Sequence, residues 1–172
     1  MTRRFAMVVT ATAVLIAGCG GAEDDAASTQ ETAPTTTVYE PGPFFGECGS
    51  ITDAEVQSAF GAGPFAQITR NSVGCQWETT GFGGPGVSFS WYRGSPIGRE
   101  RAGSELIGRP AKDIEIDGNP GFEAEQDTLC EIGVQFGDDF FHWSITYSLG
   151  PAARPPCDVG NELATLTVER KQ

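Results

Sequence analysis

The chain has one histidine, and nowhere do two of its cysteines stand as Cys-x-x-Cys. A Ser–His or Cys–His nucleophile would therefore depend on His142 alone, and a tetrahedral zinc centre would lack its usual ligand pairs. No Gly-x-Ser-x-Gly elbow is present. The glycine-rich stretch Gly81 to Gly86 lacks a following Lys-Ser/Thr, so it reads as a hairpin loop and not a phosphate cradle. Positive charge is scarce too, with 11 Lys and Arg against 23 Asp and Glu and a net charge of -12. Phosphate backbones need clustered Lys and Arg, which argues against a nucleic-acid partner. Asp24-Asp25 and Asp138-Asp139 lack EF-hand spacing and read as solvated turns, so no metal and no cofactor is expected.

A long hydrophobic run is missing as well. The apolar stretch from Phe5 to Ile16 follows Arg3 and Arg4 and is too short to span a bilayer core, but it suits the h-region of a secretion signal. It ends in Ile16-Ala17-Gly18-Cys19, which resembles the bacterial lipobox. Residues 1–18 are thus expected to be a leader, with Cys19 carrying a thioether-linked diacylglycerol. Phe5 directly after the paired arginines favours general over twin-arginine export. Two acyl chains hold stably where one holds marginally, so the implied partner is the membrane, through lipid and without a transmembrane helix. Loss of the leader takes the net charge to -14.

Residues 19–43 then read as the lipidated cysteine and a spacer. The spacer is rich in Ala, Thr, Glu, Asp and Pro, too poor in large apolar groups to bury itself, and about 27 Å long as a coil. Residues 44–172 form the extracytoplasmic domain. Its four cysteines, Cys48, Cys75, Cys130 and Cys157, predict two disulfides in an exported chain. Three pairings are open, and Cys48–Cys75 with Cys130–Cys157 is favoured because each closes a local loop between a helix end and a strand.

Thr52 and Glu55 make a capping box, with Val56 and Phe60 on one helix face and Gly61 as the stop. Alternation marks strands at Val73–Trp77, Val87–Trp91, Ile114–Ile116, Phe122–Ala124, Cys130–Phe136 and Phe141–Tyr147. Helices are expected from Pro96 to Ile107 and from Asp158, the latter residue acting as N-cap. The predicted fold is α+β: an antiparallel meander of about six strands, covered on one face by two or three short helices. His142 is out of phase with Phe141, Trp143 and Ile145, so it should face away from the core, at the surface or rim.

The segments Phe44-Phe45-Gly46-Glu47-Cys48-Gly49, Asn71-Ser72-Val73-Gly74-Cys75-Gln76-Trp77 and Ser88-Phe89-Ser90-Trp91-Tyr92-Arg93-Gly94-Ser95-Pro96-Ile97-Gly98-Arg99-Glu100-Arg101 resemble the mycobacterial LprB/LprC lipoproteins. Leu129-Cys130-Glu131 and Pro156-Cys157-Asp158 extend the likeness across the folded domain. These belong to an actinobacterial lipoprotein family of unknown function. The resemblance implies lipidation, a surface location and the disulfides, but no catalytic residue.

One cluster stands against the acidic background: Arg93, Arg99 and Arg101, beside the aromatics Trp91 and Tyr92. Arginine forks suit carboxylate or phosphate on a ligand or partner. The competing reading is internal pairing with the domain's own acids, and the sequence favours it. The functional expectation is a non-enzymatic binding or accessory module of the envelope, whose ligand is a lipid, another small molecule or an envelope protein. A carboxylate-based envelope hydrolase is the alternative.

Overall fold

The computed structural model describes residues 38–80, 84–148 and 151–172. Cys19, the leader and Asp24-Asp25 lie outside them. After a short 3₁₀ turn at Glu47–Ser50, the elements run α1 (Asp53–Phe60), β1 (Gln67–Asn71), β2 (Gly74–Glu78), β3 (Gly86–Tyr92), α2 (Ile97–Leu106), β4 (Ala111–Ile116), β5 (Asn119–Gln126), β6 (Leu129–Phe136), β7 (Asp139–Thr146) and α3 (Pro156–Glu169). The architecture is the expected α+β antiparallel sheet, with seven strands in the order β1-β2-β3-β7-β6-β5-β4.

Two meanders meet at the centre. The second, β4 to β7, turns through two-residue loops, as the pairings Ile116↔Asn119, Gln126↔Leu129 and Phe136↔Asp139 require. Each loop holds a residue at positive φ: Asp117 and Gly118, Asp127, and Gly137. Such loops match the right-handed twist of the flanking strands. β3 joins this meander by pairing with β7 from Gly86↔Thr146 to Tyr92↔Phe140. α2 carries the chain from β3, in mid-sheet, to β4 at the far edge. The additional strand is β1. All five of its residues are exposed, so it has no apolar alternation by which to recognise it.

One face of the sheet is the main core. Alternate residues Trp77, Phe89, Ile132, Phe141, Trp143 and Ile145 point into it and pack under α1 and α3. Trp77 and Trp143 are fully buried with ring centroids 5.9 Å apart. Each indole is satisfied: Trp77 Nε1 donates to Asp53 Oδ1 at 2.8 Å and Trp143 Nε1 to Thr167 Oγ1 at 3.1 Å. A Cβ on Gly160 of α3 would lie 2.8 Å from Ile132 Cγ1, so only glycine lets the helix sit this close to β6. α3 begins at Pro156, with Pro155 in the cap position and Asp158 inside the first turn. The expected Asp158 cap is therefore corrected; proline in the first turn needs no N–H partner and starts the helix earlier.

The sheet is not covered on one face only. Phe122 and Ala124 pair with Gly133 and Glu131, which places them opposite Ile132, and both are buried beneath α2. Their strand is out of phase with the main core; Glu123 takes the core side instead, where Lys112 and Asn161 hold its carboxylate. Both disulfides form as expected, Cys48–Cys75 and Cys130–Cys157, each spanning 27 residues.

The capping box at α1 is present, and it does more than start a helix. Glu55 accepts from the Thr52 N–H and hydroxyl and also takes the fork of Arg170, at the end of α3, at 2.7 and 3.0 Å. Arg170, then the Thr52 donors, lower the Glu55 pKa from 4.5 to about 2. A depressed carboxyl pKa contributes stability that is complete above the unfolded value and is lost as pH falls through the folded one. Urea denaturation from pH 5 to pH 2 should therefore show stability falling between about 4.5 and 2, with a visibly shallower fall in Glu55→Gln.

Candidate functional site

β3 outruns its neighbour β2. Gly74, the first residue of β2, pairs with Ser90, and the Trp91 N–H reaches back to the Val73 carbonyl at 2.8 Å. The last residues of β3 consequently form one lip of a cleft whose other lip is the β1–β2 turn at Ser72 and Val73. One lobe has a volume of about 480 Å³ and includes Ser90, Trp91 and Arg93 in its wall. A second lobe of about 220 Å³ shares Ser72, Val73 and Trp91 and reaches Phe44 and Glu47. The first falls within the usual size range of ligand sites.

Trp91 is the shared wall. It lies tilted against Phe44 at 5.5 Å and edge-on to Phe45 at 5.9 Å. Its Nε1–H is buried and has no acceptor among the described residues. An unmade hydrogen bond of this kind costs about 1–3 kcal/mol. The Arg93 guanidinium stands 4.9 Å from the centre of the Trp91 ring, in cation–π geometry, and its side chain is 60% exposed. Val73 at 60% and Phe44 at 51% add exposed apolar surface. Apolar walls with one cation at the rim suit a ligand that is itself amphipathic.

Behind the cleft sits Asp139, fully buried at the β6–β7 turn. Its carboxylate accepts from the Tyr39 hydroxyl, from Gly42 N at 3.0 Å and from Gly94 N at 2.8 Å, with Arg93 Nε 3.8 Å away. Accepting from Tyr39 raises that phenol's pKa, because the carboxylate favours the protonated form. Asp138 binds Glu40 in both directions, N–H to carbonyl at 2.9 Å and carboxylate to N–H at 2.6 Å. The Asp138-Asp139 pair is thus no solvated turn. It clamps residues 39–42, in the stretch read as spacer, onto the domain, so the ordered contacts reach at least five residues before Phe44.

The five residues singled out in the sequence divide. Trp91, Tyr92 and Arg93 all line the larger lobe of the cleft. Tyr92 also stacks on Phe140 at 4.4 Å, and burial raises its pKa. Arg99 bonds Ser95 Oγ at 3.2 Å and pairs with Glu100. Arg101 pairs with Asp113 and Glu105 and bonds the Ala111 carbonyl at 3.1 Å; the Asp113 bond is the main cause of its raised pKa. Both are therefore held internally. Arg101→Ala should lower the melting temperature by only about 1–3 °C, as expected for an exposed pair, and leave cleft binding unchanged. Val73, Ser72, Phe44 and Asp139 were not foreseen. The nearest signal in the sequence was the cysteine-flanked Asn71–Trp77 segment, where Val73 reads as a core residue.

His142 faces away from the main core, as its phase requires, and is half-buried beside Phe122, 6.2 Å away; loss of solvent lowers its pKa while Glu131 pulls the other way. Ser104 of α2 donates to Glu131, which also takes Arg109. Glu123, Cys130 and Cys157 come close together, but the two sulfurs are bonded to each other and offer no thiolate. No helix among the described residues is long and apolar enough to cross a membrane.

The chain belongs to the DUF3558 family, whose description is "Protein of unknown function", matched over residues 14–170. Within it the chain is similar to mycobacterial lipoproteins. "Putative lipoprotein LprB" of Mycobacterium tuberculosis H37Rv is 41% identical over 177 residues, covering 96% of this chain and 95% of the relative. The protein of that name in Mycobacterium leprae is 41% identical over 162 residues, 90% of this chain and 86% of its own.

Proposed function

We propose that the protein is a lipid-anchored binding module on the extracytoplasmic face of the membrane. Residues 1–18 are its leader, Cys19 bears the diacylglycerol, and the cleft between Trp91, Arg93 and Val73 is its binding site. The relatives' lipoprotein name and the lipobox-like Ile16–Cys19 support the anchor. The observation that carries the site is the cleft's combination of an exposed guanidinium with the apolar surface of Val73, Trp91 and Phe44. The buried acids Glu123 and Asp139 and the partly buried Glu131 are each engaged by neighbours, so the geometry favours binding over carboxylate hydrolysis.

The test has two parts. Intact-mass analysis of protein from its host should show a fatty-acyl adduct on a chain beginning at Cys19. A photo-crosslinking residue at position 73 should capture a defined species in intact cells, and one placed on the outer face of α2 at Ala102 should not. An unlipidated chain would end the anchor assignment, and equal capture from both positions would end the site assignment.

A further inference from the structure

The clamp at Asp138 and Asp139 bears on where the cleft sits along the chain. Residues 39–42 are bonded to the β6–β7 turn, and a Cβ on Gly94, next to Arg93, would lie 3.4 Å from the Tyr39 ring. Among the described residues, the amino-terminal contacts with the domain therefore lie beside the cleft, and Phe44, five residues after Tyr39, packs on Trp91. Of the folded body, this corner has the shortest chain path to the anchor.

Charge adds a second argument. The mature chain is strongly acidic, so its surface at large opposes anionic headgroups. Arg93 is the cation at the cleft's rim: it lies over Trp91, its nearest acid is 3.8 Å away, and its side chain is mostly in solvent. The apolar surface of Val73, Trp91 and Phe44 lies alongside. An acidic group close to an alkyl chain would satisfy both features, and a water-soluble anion would use only one.

On the reading of this cleft as the binding site, we propose that its ligand is an acidic membrane lipid, its phosphate on Arg93 and the start of its acyl chain along Val73, Trp91 and Phe44. The lipid is drawn from the bilayer to which the protein is anchored. The phosphate takes the guanidinium fork, for which arginine is suited by shape as well as charge. The alkyl segment covers apolar surface that otherwise faces water.

The experiment uses the mature lipidated chain in phosphatidylcholine vesicles containing a small fraction of phosphatidic acid with brominated acyl chains. Bromine quenches tryptophan on contact. Trp77 and Trp143 are fully buried, which leaves Trp91 as the reporter. Quenching should saturate with brominated phosphatidic acid, disappear in Trp91→Phe, and need about tenfold more lipid in Arg93→Gln, the loss expected for one charge-assisted hydrogen bond. Melting of both variants, followed by circular dichroism, checks that they remain folded. Equal quenching by brominated phosphatidylcholine would overturn the acidic-headgroup assignment. Absence of quenching, with a protein captured from position 73 in cells, would overturn the lipid and keep the cleft. Absence of both would overturn the two readings together.

Discussion

Reduction of the two disulfides should unfold the domain near neutral pH. Each closes a loop of 27 residues. In the chain-entropy model a loop of that length is worth about 3.5 kcal/mol, because the crosslink removes unfolded conformations. Two such bonds approach the whole 5–15 kcal/mol of a typical domain. The replacement Cys130→Ala with Cys157→Ala should by itself lower stability by about 3–4 kcal/mol and the melting temperature by about 10 °C. That bond joins β6 to the start of α3, the helix roofing the main core. Urea denaturation with and without reductant checks both statements. A double variant melting within about 2 °C of the parent would mean that α3 is held by packing alone.

Asp139→Ala should have the next largest effect. The carboxylate is fully buried and satisfies two backbone N–H groups and the Tyr39 hydroxyl from two distant segments. Removing it leaves buried donors unmatched at about 1–3 kcal/mol each, partly offset because Tyr39 lies near water. A loss of about 2–4 kcal/mol is expected. Asp139→Asn should recover little, since its amide NH₂ must face at least one of the same donors. The diagnostic readout is local. Amide exchange at Gly42 and Gly94 should accelerate well beyond that at Trp143 in mid-sheet. Uniform acceleration would show that Asp139 acts on global stability and not as a clamp.

Much of this architecture is legible before any coordinates. Alternation at Cys130–Phe136 and Phe141–Tyr147, the Thr52–Glu55 box and the Asp117-Gly118 turn each state a local preference that packing then respects. What escapes is set by non-local contacts. β1 has no apolar phase because neither of its faces is covered. Phe122 is buried beneath α2, a helix whose only buried residue is Ser104, so its own sequence does not announce a covering role. Asp139 reads as an exposed turn acid until the chain near Tyr39 folds back nearly 100 positions to meet it. The site follows the same pattern. Arg99 and Arg101 find partners within the α2–β4 neighbourhood, whereas Arg93 is distinguished only by where β3 outlasts β2.

The seam between β3 and β7 has a consequence for folding. When the chain emerges amino terminus first, the first three strands appear well before their partner. Until β7 arrives, the Gly86–Tyr92 edge, with Val87, Phe89 and Trp91 on one side, has open backbone donors and acceptors and an unroofed apolar surface. Closing that seam brings together residues 48 to 60 positions apart, a loop-closure step slower than forming the later hairpins. The amino-terminal half thus waits in an adhesive state until β7 closes the seam, and that interval is when a chaperone would have its longest opportunity to act.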